Sequence, residues 1–301
     1  MRKMTNWDRS FHVFNILLMV IITVVTLYPF LQALAISVND ANDTARGGIT
    51  IFPRVFTMRN YQLIFQRKDI VRAYGVTILR TLVGTIGALI FTTAFAFGMA
   101  HKNLVLGRFY TVLCVIPMYF GGGLIPFFVL IRQLGLMNTF WVYIIPNLVG
   151  IYNMILMRTF FRGIPEALEE SARIDGANAF TVLIRIIVPI STPIIATISL
   201  FVAVMQWNSW FDAAIFISNL DLKPMQSILL SVISGARFAE QLARTAAGSV
   251  NTGNIARAAA KVNVRSITMA TTIVTIIPIV VSYPFLQRYF IKGVMVGSLK
   301  G

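Results

Sequence analysis

Charge is scarce in this chain. Only 12% of its 301 residues are Asp, Glu, Lys or Arg, against roughly 25% in an ordinary soluble domain. Cysteine and histidine are nearly missing, with one and two copies. A single cysteine, Cys114, excludes an intramolecular disulfide, and its place in an apolar run makes it packing material rather than a nucleophile. His12 and His101 stand at the ends of apolar runs, in no metal-binding spacing. No G-x-x-x-x-G-K-[ST] sequence occurs, so the chain carries no nucleotide-binding loop of that type. No Ser/His/Asp set is legible either. An enzymatic role therefore has no visible residues to perform it, and no catalytic group, cofactor or metal is assigned to this chain.

What is abundant is apolar sequence, 57% of the chain. Several runs approach or exceed the ~20 residues that cross a bilayer as a helix. A membrane β-barrel would show alternating segments of ~10 residues, and the unbroken runs here do not fit one. The chain reads as an all-α polytopic membrane protein with six transmembrane helices. Their expected limits are Val13–Ile36, Thr77–Ala100, Phe109–Ile131, Phe140–Phe160, Ile186–Trp210 and Ile267–Phe290. Ala33-Leu34-Ala35 mimics a signal cleavage site, but the apolar stretch before it exceeds a signal peptide's 7–15 residues. An uncleaved first helix is expected. Two segments are too polar to span and read as external loops, Ser37–Val76 and Ala213–Ser266, the second with helical turns.

Within the second span, Gly84, Gly87, Ala88, Ala94 and Gly98 offer small surfaces for close helix packing. Gly121-Gly122-Gly123 before Pro126 predicts a break or a close backbone approach inside the third.

The longest patterned hydrophilic interruption runs from Pro165 to Pro193. Pro165 suits the start of a helix, and Glu166, Glu169 and Glu170 favour the positive end of its dipole. Ala172, Gly176, Ala177 and Ala179 supply small side chains, and Gly176 permits close packing or a backbone turn. By pattern alone this is either a solvated loop or a short surface helix presenting carboxylates.

Glu170-Ser171-Ala172, Gly176 three residues on, and Ile186-x-Val188-Pro189 after nine more resemble the E-A-A-x3-G-x9-I-x-L-P motif. That motif marks the membrane subunits of ABC importers. Ile174-Asp175-Gly176-Ala177 and Ile187-Val188-Pro189 resemble the carbohydrate-uptake branch, of the maltose-transporter type. The departure is Ser171, where the family often has Ala. The G-G-G-L-I-P run and the ending Tyr283–Val294 resemble permeases of complex-oligosaccharide importers, so the likeness covers nearly the whole chain.

The resemblance implies that residues 165–179 form a cytoplasmic coupling helix docking into an ATPase subunit. Glu166, Glu169, Glu170, Ser171, Ala172, Asp175 and Gly176 are the expected contact residues. It implies a second homologous permease, two ATPase subunits holding ATP and magnesium, and an external solute-binding protein. The implied location is the bacterial inner membrane, multi-pass, with both termini cytoplasmic. Membrane lipid is a partner; nucleic acid is not.

A second cluster, Gln206-Trp207-Asn208-Ser209-Trp210-Phe211-Asp212, ends the fifth span. Its aromatics are either interface anchors or part of a sugar path. Gln206, Trp207 and Asn208, with Asn147 and Asn153 of the fourth span, are the substrate-path candidates. An ion-coupled secondary transporter would need carboxylates in the membrane cores, and within the expected limits there are none. The external segments carry an excess of basic residues, Arg80 counted among them, which would attract an acidic oligosaccharide rather than a neutral one, or equally an acidic binding protein or anionic lipid headgroups.

Overall fold

The computed structural model describes residues 6–246, 264–282 and 284. Among these every regular element is helical, and one isolated antiparallel bridge joins Asn39 to Phe56. Two compact units emerge, one within Met1–Ile70 and Leu229–Ile277, the other within Val71–Ile228 and Pro278–Gly301.

In the first unit α1 runs from Asn6 to Ser37. Its 32 residues reach about 48 Å at 1.5 Å per residue, longer than a ~30 Å hydrocarbon core. Apolar side chains are exposed all round it, as suits lipid or neighbouring helices rather than water. Thr23 and Thr26 donate their hydroxyls to the Met19 and Ile22 carbonyls, so neither polar group faces hydrocarbon unpaired.

The segment after α1 is built, not loose. Asp40 caps α2 (Ala41–Ala45) by accepting from the Asn42 and Asp43 amides. Asn39 is fully buried at the hub. Its amide donates to Asp43 and Thr44, and its oxygen accepts the Arg54 and Val55 amides. Asn60, on α3 (Arg59–Gln66), donates to the Ser37 and Asn39 carbonyls. Ala35, Ile36 and Ile49 form a small apolar core against Met269.

The second long helix reaches beyond the apolar run that marks the expected span. α4 spans Lys68–Ala100 and so begins nine residues before the predicted Thr77. Hydropathy marks where a helix becomes apolar, not where it starts. Asp69 in the first turn favours the helix dipole and lets α4 extend through polar residues.

Residues 109–131 do not form one straight helix. α5 (Gly107–Tyr119) and α6 (Leu124–Gln133) meet at 112°. Gly123, at φ +85°, makes the turn in a region open mainly to glycine. Residues 140–160 likewise divide into 3-10 turns at Phe140–Tyr143 and Ile145–Asn147, then α7 (Ile151–Arg162), bent by 44°.

The coupling segment gives α8 (Glu166–Ile174), then α9 (Ala179–Val182), a π-helical turn (Leu183–Ile187) and α10 (Val188–Ile190). Ser191 breaks the chain direction, and α11 (Thr192–Asn208) departs at 85°. Pro189 and Pro193 withhold two backbone donors here, which accounts for the wide turn and the bend. Thr192 donates its hydroxyl to the Pro189 carbonyl and satisfies one freed acceptor.

The described part of the second expected loop, up to Ala246, is largely helical. α12 (Phe211–Phe216) and a 3-10 turn at Leu220–Leu222 lead into α13, a continuous 22-residue helix over Met225–Ala246. Its Ala, Leu, Gln, Arg and Glu are strong helix formers that outweigh the ~1 kcal/mol penalty of an internal glycine, Gly235. α14 follows at Val264–Ser282. The rest of the expected sixth span, the Tyr283–Val294 ending (Pro284 apart) and residues 247–263 of the second expected loop lie outside the described residues.

Three described helices, α1, α4 and α14, are long and apolar enough to cross a membrane, and three bent pairs pass together. Counting each pair as one gives six. The main core of the second unit joins Ala96 and Phe97 of α4, Met154 and Met157 of α7, Val182 of α9 and Ile198 of α11. Small residues divide cleanly in their use. A methyl on Gly84 would sit 2.6 Å from Gln206 Nε2, and one on Gly87 would sit 3.0 Å from Leu148. Ala88 is buried, whereas Ala94 and Gly98 face outward.

Candidate functional site

α8 is a short surface helix because its ends are set locally. Pro165 precedes it with φ −59° and ψ 129°, standing just outside rather than at its first helical position. Glu166 and Glu169 lie in the first turn and Arg173 in the last, each matching the helix dipole. At the other end Gly176 adopts φ +83°. Its amide bonds to the Arg173 carbonyl and the Ala177 amide bonds to the Ala172 carbonyl. That pair of bonds is a Schellman termination, which requires the left-handed residue glycine supplies. Nothing in this chain lies within 4 Å of a methyl built on Gly176, so within the chain the glycine serves the turn.

The predicted contact residues separate into two faces. Ala172 and Ala177 are half-buried and pack against the bundle's own core. Glu169 accepts from Arg173 at 2.7 Å and faces His101 Nε2 at 3.3 Å, while Glu166 pairs with Lys102 at 3.0 Å. These carboxylates fasten α8 to the end of α4. Glu170, Ser171 and Asp175 stay exposed, and Glu170 has no ion pair among the described residues. Beside them stand two apolar side chains that sequence reasoning missed, Ile174 at 87% exposure and Phe180 at 72%. Both are large apolar groups left uncovered beside the acidic residues of α8. Their signal was present in R-I-D-G-A-N-A-F, an apolar residue on each side of the turn. A cavity of about 440 Å³ lies where α8 meets α4 and α7, with Glu166, Glu169, Glu170 and Arg173 on one wall.

A second polar centre lies between α4 and the end of α11. Arg80 is fully buried there, not an external charge. Its Nε donates to Gln206 Oε1 at 3.1 Å, its Nη1 to the Ser209 carbonyl at 3.0 Å, and its Nη2 to Asp212 Oδ2 at 3.0 Å. The guanidinium stacks 4.2 Å over the Tyr143 ring. Ser209 donates a further bond to Asp212, and the Tyr143 hydroxyl donates to the Leu222 carbonyl. Burying a charge at membrane depth is costly unless every donor is met. Arg80 lowers that cost with three hydrogen bonds, the Asp212 charge and the Tyr143 ring face.

Of the five path candidates, Asn147 and Gln206 converge, both donating to the Tyr143 carbonyl at 3.2 and 3.3 Å. Gln206 is buried and structural in this arrangement. Trp207 is buried too, edge-on to Tyr74 at 5.8 Å. Asn208 alone of the three is exposed, bonded to the Val204 carbonyl. Asn153 sits half-buried on α7, apart from that group. Sequence reading counted Arg80 as an external charge and placed Asp212 in the aromatic cluster without joining them, because each lies near an expected span edge, where charge is ordinary. The available signal was a basic residue four positions into one apolar run and an acid just past another.

Comparisons with known proteins place the chain in a family. The chain is 34% identical to Protein LplC of Bacillus subtilis over 297 residues, covering 99% of this chain and 97% of that protein. It is 31% identical to the polygalacturonan/rhamnogalacturonan transport system permease protein YtcP of the same organism, over 92% and 93% of the two chains. Its structure matches a chain of a bacterial ABC transporter involved in import of the acidic polysaccharide alginate. That match has a TM-score of 0.85 and 27% identity, covering 96% of this chain and all of that one. The family of binding-protein-dependent transport system inner membrane components matches residues 93–296, and this chain, a polytopic ABC permease subunit with no catalytic role of its own, belongs to it.

Proposed function

We propose that the chain forms half of the translocation path of an ATP-driven importer of acidic oligosaccharides, and that α8 is its coupling helix. The single observation supporting the lever is the two-faced α8. One face is fastened to the bundle through Ala172, Glu166 and Glu169; Glu170 and Ile174 stay open to a partner, with Asp175 just past the helix and Phe180 on α9 beside them. Two ATPase subunits holding ATP and magnesium, a second permease and an external binding protein complete the assembly. Both termini and α8 lie on the cytoplasmic side, and residues 38–66 lie outside.

Closure of the ATPase pair pulls on α8. The pull reaches α4 through the His101 and Lys102 pairs and reaches α11 through the continuous Ala179–Ile190 segment. The π turn and the Ser191 bend sit between lever and path, where interrupted helices commonly serve function. An acidic substrate is supported by the named substrates of YtcP and of the alginate importer and by the basic excess of the outer segments. Arg80 drops out of that excess, since Asp212 neutralises it internally.

Uptake of matched uronate and neutral oligosaccharides, with and without the co-expressed ATPase, tests both parts. Transport of the uronate alone, and only with ATPase, is expected. A salt-insensitive preference for the neutral sugar removes the acidic substrate. Transport without the ATPase removes the importer assignment. Orientation is tested with an impermeant thiol reagent in a Cys114→Ser background: cysteines at Asp43 or Gly48 label from outside, those at Lys102 or Asn178 do not.

A further inference from the structure

A second cavity, of about 380 Å³, opens beside the α8 cavity at the end of α4, between α5 and α7. Lys102, Arg108, Arg158 and Arg162 line it together with His101 and Thr111, and no carboxylate does. From this we infer a binding site for the phosphodiester headgroup of an anionic phospholipid.

The charges are held there by the fold. Arg158 donates Nε to the Met99 carbonyl at 2.9 Å and Nη1 to Thr111 Oγ1 at 2.8 Å; Arg162 donates to the Ala100 carbonyl at 3.3 Å. Both guanidiniums thus satisfy orphan carbonyls at the C-terminus of α4 while presenting their charge to the cavity. Lys102 is balanced on its far side by Glu166. Arg108 pairs with no acid among the described residues. Four cations facing one hollow repel one another and favour an oxyanion between them, which planar guanidiniums bind well.

Two observations choose a lipid over a soluble or protein anion. α5 leaves the cavity as an apolar helix with Phe109, Val112 and Leu113 all more than half exposed. An acyl chain would lie along that surface, while an acidic peptide would leave it uncovered. The cavity also sits at the end of apolar helices, where headgroups lie, and basic pockets between such helices are the expected headgroup sites. The leaflet, cytoplasmic, rests on the proposed orientation; the ligand chemistry does not.

The test uses the permease purified with its partner subunits, in nanodiscs of phosphatidylcholine with or without phosphatidylglycerol. Photoactivatable analogues of each lipid are crosslinked and mapped by peptide mass. Phosphatidylglycerol is expected to label the Gly107–Leu113 peptide selectively. Arg108→Gln should lower that labelling about fivefold, the loss of one basic residue's attraction, with Arg59→Gln as the unaffected control. Arg158→Gln should lower it too, and Arg108, being exposed and unpaired, keeps the test meaningful where Arg158→Gln fails to fold. Equal labelling by both lipids, or labelling unchanged in Arg108→Gln, overturns the site. So does full protection by inorganic phosphate, which makes a soluble anion the ligand, or labelling seen only after the ATPase subunits are removed, which makes a protein segment the occupant. Selective labelling from the outer leaflet would leave the site standing and refute the proposed orientation instead.

Discussion

Arg80 and Asp212 are 132 residues apart in sequence and 3.0 Å apart in space, and theirs is the one ion pair among the described residues with a fully buried cation. Arg80→Ala leaves the Asp212 carboxylate with Ser209 as its remaining partner, and Asp212→Ala leaves a buried guanidinium without its counter-charge. Each should cost roughly 3–5 kcal/mol, because removal of one partner strands the other. The Arg80→Leu/Asp212→Leu double variant should recover much of that loss. Thermal unfolding of the four proteins in one detergent supplies the cycle. Additive losses would mean that the two residues do not act as a pair.

The two faces of α8 should separate experimentally. Glu170→Lys, Ile174→Ala and Phe180→Ala are expected to weaken ATPase association, each by about tenfold or more, with the permease still inserted. Glu169→Gln breaks the internal bonds to Arg173 and His101 and should instead loosen α8 itself. Co-purification of the ATPase reads the first effect, and amide hydrogen exchange over 166–174 reads the second. Exchange of the two outcomes would invert the assignment of faces.

Close helix approach at Gly84 gives a sharp contrast within one helix. Gly84→Leu drives carbon into Gln206, with a cost of about 1–3 kcal/mol or a displaced α11. Gly98→Ala meets nothing within 4 Å and should be neutral or stabilising by roughly 0.5–1 kcal/mol. Melting temperatures of both variants check the pair.

The Asn39 hub carries a pH dependence. Asn39's amide hydrogen bond, and then Arg54's hydrogen bond and charge, hold the Asp43 carboxyl below its ordinary value, against an opposing effect of burial. A carboxylate so lowered stabilises the segment fully above the unfolded Asp value of about 3.9. That contribution fades as pH falls through the lower folded value. Proteolysis of residues 38–57 should therefore accelerate on acidification below about pH 4, and Asn39→Ala should move the onset upward. An onset unmoved by Asn39→Ala would separate Asp43 from the transition.

The expectations that held in the sequence were those resting on local physics. Gly176 behaves as a turn residue because a helix of this length must end, and glycine alone enters the left-handed region without strain. The break at Gly121–Gly123 was legible for the same reason. Helix limits were less so, since α4 begins in polar residues and α13 fills a segment that composition marked as loop.

By itself, then, the sequence determined a polytopic helical chain, its apolar runs and the α8 motif, because bilayer thickness and helix termini act on neighbouring residues. Only the tertiary structure decided which charges face water. Arg80 and Arg132 look alike beside their apolar runs, yet Arg80 alone is enclosed by Gln206, Ser209 and Asp212. It decided too that Ala172 turns inward while Ile174 turns out, and that Arg108 and Arg158 share one hollow. The reason is that solvation and Coulomb energy depend on distances across the fold, which spacing along the chain does not contain.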